Sequence, residues 1–482
     1  MSQLLSGKTT IAALFSASAL LFSAGCGGSG ASGVQTPTPL APQSGLTVTY
    51  TPAGCGYALT TPSVDSAEIG GKVADTAAPD HVHASFASDP SSSFAVNWRS
   101  ESSATLTQMF YGTDKTKVAA ATAATADVER QEGHTLSYAS VLDSDGPTRI
   151  HEVHVCGLKP ATTYFYKVGN PGAFSTVYSL VTAPAVGAST ALRFAVSGDS
   201  RDSMSIMAKV QKAIADSGAT FQLFTGDAVF TGGLQSLWNS FFETSFGGMT
   251  ISDVMATVPM MMENGNHENL SINYLAQFAI PDISQAVKSE PKQWYSFDYG
   301  NIHFVALNDT TSSASTVTGT EAAWLDADLA KVDRAKTPWI FVFHHKPIYS
   351  CAPTHGSDMG ARAAWQPIYD KYKVDVVFNG HEHNYERTKP IRGFKPGTQD
   401  GAVAQTTGND APVNGSGTIY FVGGGAGAGL YDVGSGSGCD TRSKAEMINN
   451  YLIVDVQGSH LKLTAYRVND GSVIEEIDTT KG

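Results

Sequence analysis

The sequence predicts a multidomain chain, an all-β sandwich followed by an α/β domain. Three observations carry that expectation. At 482 residues the chain is longer than a single hydrophobic core usually organises. From residue 46 to 184 it reads as short strands; Phe94, Val96 and Trp98 alternate with smaller or polar neighbours, as a sheet with one buried face requires. From residue 191 to 482, apolar strand-like runs alternate with helical stretches such as Met204 to Ser217. Thr182-Ala183-Pro184 and the small residues up to Thr190 form the expected linker.

At the start of the chain, Lys8 precedes an apolar stretch from Ile11 to Phe22, which suits a signal-peptide core and, at about 12 residues, is too short to span a bilayer. Residues 1–25 are therefore expected to direct export. The stretch closes on Ser23, Ala24, Gly25 and Cys26, which resembles a bacterial lipoprotein cleavage site with Cys26 as the acylated N-terminus. An ordinary secretory signal cut nearby is the alternative. Residues 26–45, dominated by Gly, Ser, Thr and Pro, cannot bury a face and are expected to be a flexible tether to the membrane.

The 44 acidic and 31 basic residues give a formal charge of −13, which disfavours general binding to nucleic-acid backbones or anionic lipid surfaces. Besides Cys26 there are Cys55, Cys156, Cys351 and Cys439, and an even number in an oxidising compartment suggests two disulfides. Three pairings are possible. Pairing within each part needs no bridge across the linker, and no two cysteines have the close spacing of a zinc–thiolate site.

The stretch Gly157-Leu158-Lys159-Pro160-Ala161-Thr162-Thr163-Tyr164-Phe165-Tyr166 resembles the corner of a fibronectin type III sandwich, where a tyrosine hydroxyl bonds nearby backbone. Its expected role is structural. In the second part the apolar runs are Leu192 to Val196, Phe221 to Phe224, Val258 to Met262, Trp339 to Phe343 and Val374 to Phe378. They are followed in order by Gly198-Asp199, Gly226-Asp227, Gly265-Asn266-His267-Glu268, His344-His345-Lys346-Pro347 and Gly380-His381-Glu382-His383. In an open α/β sheet, ligands gather outside the carboxyl ends of strands, and glycine before a donor lets the backbone turn sharply. Singly these motifs are weak, because Gly-Asp after a strand is commonly a turn or helix cap. In this order and context, the set resembles the metallophosphoesterase (calcineurin-like) superfamily, and with the preceding sandwich its purple acid phosphatase branch.

That resemblance implies two mixed sheets flanked by helices (αββα) around a centre of two metal ions. By resemblance Asp199, Asp227 and His383 hold the first ion, and Asp227, Asn266, His345 and His381 the second. Asp227 is the candidate bridge, since a shared carboxylate offsets repulsion between cations roughly 3.5–4 Å apart. Mixed carboxylate, amide and imidazole donors suit zinc, iron or manganese rather than calcium. Such a centre lowers the pKa of bound water from about 15.7 toward 7, so a hydroxide becomes available to attack the phosphorus of a small phosphorylated substrate in line. His267, directly after Asn266, is the candidate acid for the leaving oxygen; orienting its loop is the alternative role. His355 is the candidate contact to substrate phosphate, with a water-facing loop position as the alternative. His344 is expected to face away from the ions, because successive strand residues point in opposite directions. Tyr385-Glu386-Arg387 is expected to be structural.

Two positions depart from the family. The tyrosine that gives the purple branch its colour, three residues after the bridging aspartate, is here Phe230, which has no donor. The histidine that other members place two residues after the first aspartate is Arg201, which stays protonated. The first ion is thus short of one recognised protein ligand, and the protein should be colourless. Arg201 is instead a candidate to grip substrate phosphate with its planar fork, a salt bridge away from substrate being the alternative. The expected function is an extracytoplasmic phosphomonoesterase. A phosphodiesterase or nucleotide hydrolase would use the same centre, with the loops from Gly393 to Gly415 and Gly423 to Cys439 deciding between them. A non-catalytic surface-binding protein is a third possibility, against which the intact ligand set argues.

Overall fold

The computed structural model describes residues 47–62, 76–101, 104, 106–139, 142, 147–281, 293–310, 316–393, 403, 416–436 and 439–481. The expected signal peptide, Cys26 and tether lie outside the described residues, as does most of the loop from Gly393 to Gly415. Among the described residues, no helix is long and apolar enough to cross a membrane.

The first part is strand-rich. One antiparallel sheet has the order Asp80–Ser85, Phe94–Arg99, Pro147–Val155, His134–Ala139. A second is built on Thr163–Asn170, which pairs with Gln108–Gly112 on one side and with Tyr178–Val181 on the other. A hairpin of Thr47–Tyr50 and Leu59–Pro62 precedes them. The Tyr164 hydroxyl accepts from the Lys159 amide at 3.0 Å, the corner bond expected of that stretch.

The expectation of one buried sheet face fails for Phe94–Arg99, where all six residues are buried. Phe94, Val96 and Trp98 enter the core, as their alternation requires. Their neighbours are covered because a second layer lies on that face. Ala95 clusters with Ala279, and Arg99 donates to Asn239 at 2.7 Å and to Glu243 at 3.0 Å.

Beyond Pro184 two mixed sheets stack face to face. The six-stranded sheet has the order Met260–Met262, Phe221–Phe224, Leu192–Ser197, Asn450–Gln457, His460–Arg467, Val473–Thr480, and its first three strands are parallel. The seven-stranded sheet runs Tyr295–Tyr299, Ile302–Ala306, Trp339–Phe343, Val376–Asn379, Ile419–Gly423, Tyr385–Thr388, Arg442–Glu446, with a parallel centre from the second strand to the fifth. Covered on both faces, these central strands read as continuous apolar runs. Between the sheets, Phe194 meets Phe221 of its own sheet at 5.2 Å and Phe304, Phe341 and Phe378 of the other at 5.2, 6.0 and 6.4 Å. Burying one such ring contributes about 2–3 kcal/mol.

Helices cover the outer faces. Met204–Ser217 turns Met207, Val210, Gln211 and Ile214 inward at helical spacing, and Gly218 ends it in the left-handed region at φ 76°. On the seven-stranded sheet, Trp365 and Tyr369 of Met359–Tyr372 cluster with Ile340, Val377 and Tyr420.

One contiguous apolar core contains Val96, Trp98 and Tyr166 of the first part together with Phe194 and Phe221 of the second. The Tyr166 hydroxyl donates to the Ala256 carbonyl at 2.6 Å, and that of Tyr178 to the Asp253 carboxylate at 3.0 Å. The two parts are therefore joined by packing as well as by chain. Of the three cysteine pairings, the fold makes Cys55–Cys156 and Cys351–Cys439, one within each part.

Candidate metal centre

The parallel strands of both sheets end on the same side, and the residues that follow them converge. Asp199, Asp227 and Asn266 arrive from Leu192–Ser197, Phe221–Phe224 and Met260–Met262; His345, His381 and His383 come from Trp339–Phe343 and Val376–Asn379. Close approach dictates glycine beside these donors. A Cβ on Gly380 would collide with the Asp199 carboxylate, and one on Gly265 with that of Asp227. Asp199, Asp227 and His381 themselves adopt left-handed backbone, with φ of 58°, 59° and 67°. Each such residue stores on the order of 1–3 kcal/mol of strain.

Two donor groups form, and they share Asp227. Asp199, Asp227 and His383 offer one set, Asp227, His345 and His381 the other, each set with its ligand atoms within 4.8 Å of one another. Asn266 Oδ1 joins the second set, 2.9 Å from His345 Nε2. The histidine rings are aimed by their far nitrogens: His345 Nδ1 donates to the Thr225 carbonyl at 2.8 Å, and His383 Nδ1 to that of Gly429 at 2.7 Å. A ring held this way turns Nε2 to the centre, the usual support of a metal-binding histidine. His383 Nε2 is buried with no hydrogen-bond partner, 3.5 Å from Asp199 Oδ1. An orphaned imidazole nitrogen facing a buried carboxylate is what a cation site looks like from the protein side, so the residues fit a pair of ions.

Electrostatics agree. Burial pushes the Asp227 carboxyl up, but His345, His267 and Arg201 outweigh it and hold the group well below the usual range. His345 is pulled down by burial yet raised to about 10 by Asp227 and Asp199. His381, whose Nδ1 lies 3.1 Å from His345 Nε2, is driven well below its ordinary value by burial and by that neighbour. The cluster thus draws positive charge to Asp227 from Arg201 and a protonated His345, and a bound ion would take the place of the His345 proton.

The other expected site residues lie around this cluster. His267 Nδ1 donates to the Phe230 carbonyl at 2.6 Å, and Nε2 stands 3.9 Å from Asp227 Oδ2. His355 stacks at 4.1 Å on His381, its amide donating to Glu382 at 2.7 Å. Arg201 points inward, Nη1 donating to Asp227 Oδ2 at 2.7 Å and Nη2 to the Tyr431 hydroxyl at 3.1 Å. Phe230 is 55% exposed beside His267, so its ring leaves the first donor set without a phenolate from that position. His344 faces away and bonds Asp309 at 2.8 Å. Glu386 accepts from Ser350 and Cys351, while Tyr385 and Arg387 bond Glu475, all of them structural contacts.

Two groups were not singled out by sequence reasoning. Glu268, wholly buried, accepts from the amides of Gly265 and Asp227 at 2.8 Å each and of Ala228 at 2.7 Å, tying together two ligand-bearing loops. Its place at the end of Gly265-Asn266-His267-Glu268 was the available signal. Tyr431 stacks on His383 at 4.0 Å and carried no signal, since it lies in a glycine-rich loop remote from every motif.

Residues 79–182 match the purple acid phosphatase N-terminal domain, and residues 192–385 the calcineurin-like phosphoesterase family. The chain is 33% identical over 280 residues to purple acid phosphatase 21 of Arabidopsis thaliana, covering 55% of this chain and 59% of that protein. It is 31% identical over 297 residues to purple acid phosphatase 15 of the same plant, covering 55% of each. The chain thus spans little more than half the length of these relatives. A purple acid phosphatase isolated from yellow lupin (Lupinus luteus) seeds shares the fold, with a TM-score of 0.68 over 84% of this chain and 74% of that one at 22% identity.

Proposed function

The two matched domains make this chain a purple acid phosphatase-like metallophosphoesterase, and on that premise we propose that it hydrolyses small phosphate monoesters outside the cytoplasm at a binuclear metal centre. The observation that carries this reading is the pair of donor sets sharing Asp227. Asp199, Asp227 and His383 would hold one ion, and Asp227, Asn266, His345 and His381 the other. When bound, the ions supply positive charge to the phosphoryl oxygens and acidify a water toward neutrality.

The chain's own groups bind, orient and move protons. Thr225 and Gly429 fix the tautomers of His345 and His383 through their carbonyls. Arg201 is held at the rim by Asp227 and Tyr431, with its Nε buried and lacking an acceptor, and it grips a phosphoryl oxygen through its fork. His267, anchored through Nδ1–H, delivers a proton from Nε2 to the leaving oxygen from its doubly protonated ring and returns to the neutral Nδ1–H form. His355 contacts the phosphate from the loop that precedes Met359–Tyr372. Two formed disulfides support an oxidising location, and acylation of Cys26 would anchor the protein to a membrane.

The test is metal content together with turnover of nitrophenyl phosphate and of its bis-ester, for wild type, Asp227→Asn and Arg201→Ala. The reading expects about two ions per chain, faster monoester turnover, loss of both in Asp227→Asn and a raised monoester KM in Arg201→Ala. Preference for the bis-ester would move the assignment to a phosphodiesterase. No turnover with zinc, iron or manganese would leave a binding protein. An unchanged KM and kcat in Arg201→Ala would remove that residue from the substrate.

A further inference from the structure

Phe230 and Arg201 leave the first donor set without either of the family's additional ligands, yet a phenol is present, delivered from elsewhere. Tyr431 is held at several points. Its amide donates to the His383 carbonyl at 2.9 Å, and its ring lies flat on His383, 4.0 Å between centroids at 17°. The preceding turn is fastened by the Ala428 amide to the Asp199 carbonyl and by the Gly429 amide to Asp202, both at 2.8 Å. The hydroxyl ends 3.1 Å from Arg201 Nη2, whose neighbouring Nη1 is on Asp227. The His355 ring stands 5.6 Å from that of Tyr431.

We propose that the Tyr431 hydroxyl and the Arg201 guanidinium form a two-point clamp on terminal phosphoryl oxygens, and that this clamp selects monoesters over diesters. The inference rests on the phosphate-ester reading above and deepens it. Arg201 and the Tyr431 hydroxyl meet at 3.1 Å beside Asp227, so the guanidinium and the phenol are brought to one point of the cluster. A monoester offers them three terminal oxygens that carry charge. A diester offers two, and an ester oxygen turned toward the clamp would be a poor acceptor that leaves a half-buried donor unpaired. The ring, packed on His383, sets the position of the hydroxyl before substrate arrives, so little order is lost on binding.

Tyr431→Phe tests this, because it keeps the ring on His383 and removes only the donor. In metal-replete protein, calorimetric affinity for inorganic phosphate should weaken about tenfold, the effect of losing one hydrogen bond to a charged group. The ratio of monoester to diester kcat/KM should fall by a similar factor, with metal content unchanged. Phosphate affinity and ester ratio both equal to wild type would overturn the clamp. Loss of metal together with an equal loss of both ester activities would also overturn it, assigning Tyr431 to support of His383. If wild type hydrolyses neither ester, the phosphatase reading fails on its own, while the phosphate affinity still decides whether Tyr431 contacts the anion.

Discussion

Replacing Glu268 by glutamine isolates the group that couples the two ligand loops. The carboxylate is buried and satisfies the amides of Gly265 and Asp227 through Oε2 and that of Ala228 through Oε1, with the Val229 amide at 3.4 Å. Glutamine keeps one acceptor oxygen and turns an NH2 group on the other donors. Orphaning the Ala228 amide costs about 1–3 kcal/mol, and the remaining bonds lose their charge assistance, roughly another 1 kcal/mol. An opposing effect exists. Burial and the Asp227 carboxylate raise Glu268 above its ordinary value, so removing the charge relieves part of the cost of burying it beside Asp227. In metal-free protein the two effects oppose each other, and urea unfolding should place Glu268→Gln within about 3 kcal/mol of wild type. Bound ions neutralise Asp227 and remove its share of the relief while the share due to burial stays, so metal affinity should weaken by about tenfold or more in chelator competition. Affinity within threefold of wild type, or a metal-free variant destabilised by more than about 3 kcal/mol, would refute the reasoning.

Two further perturbations probe the scaffold. Buried His303 lies 2.7 Å from Asp298 and 3.0 Å from Asp328; burial pulls it down, but the carboxylates prevail and raise it to about 9. Because the folded value exceeds the unfolded one, its stabilisation is complete below about pH 6.5 and is lost as pH rises through about 9. The contribution is at most about 3 kcal/mol, less in practice because Asp298 is partly exposed, and melting temperatures from pH 6 to 10 should show this slope in wild type and lack it in His303→Asn. Cys351–Cys439 spans 88 residues and joins the segments that carry His355 and Tyr431. The Cys351→Ser, Cys439→Ser double variant should lose about 4 kcal/mol in urea unfolding and raise the monoester KM; an unchanged KM would show that the two loops hold their places without the bridge.

Much of the centre is legible in sequence because its donors follow apolar strands directly, and strand ends of parallel sheets have a fixed destination. Asp199, Asp227, Asn266, His345, His381 and His383 are of this kind. Glu268 is half legible: it sits in a motif, but that its carboxylate serves backbone amides of a loop 40 residues earlier depends on tertiary approach. Tyr431 is illegible, since only the turn fastened by Ala428 and Gly429 returns that loop to the site. The first part shows the same limit. Alternation identifies the inward face of Phe94–Arg99, whereas burial of the other face depends on Asn239, Glu243 and Ala279, far along the chain.

The left-handed backbone at Asp199, Asp227 and His381 sets selection for folding against selection for function. Glycine, and to a lesser degree asparagine, occupies that conformation with little strain, and either would also remove a titratable group from the buried cluster. Each such replacement relieves about 1 kcal/mol of backbone strain while removing a candidate ligand, but at Asp199 it orphans the His381 amide, and at Asp227 the His267 amide and Arg201. A library of this protein screened for heat resistance alone would therefore put His381 at greatest risk, since strain is relieved there without orphaning a backbone amide. Directed stabilisation of this protein has to hold them fixed and seek its gains in the sheets and helices that carry no donor.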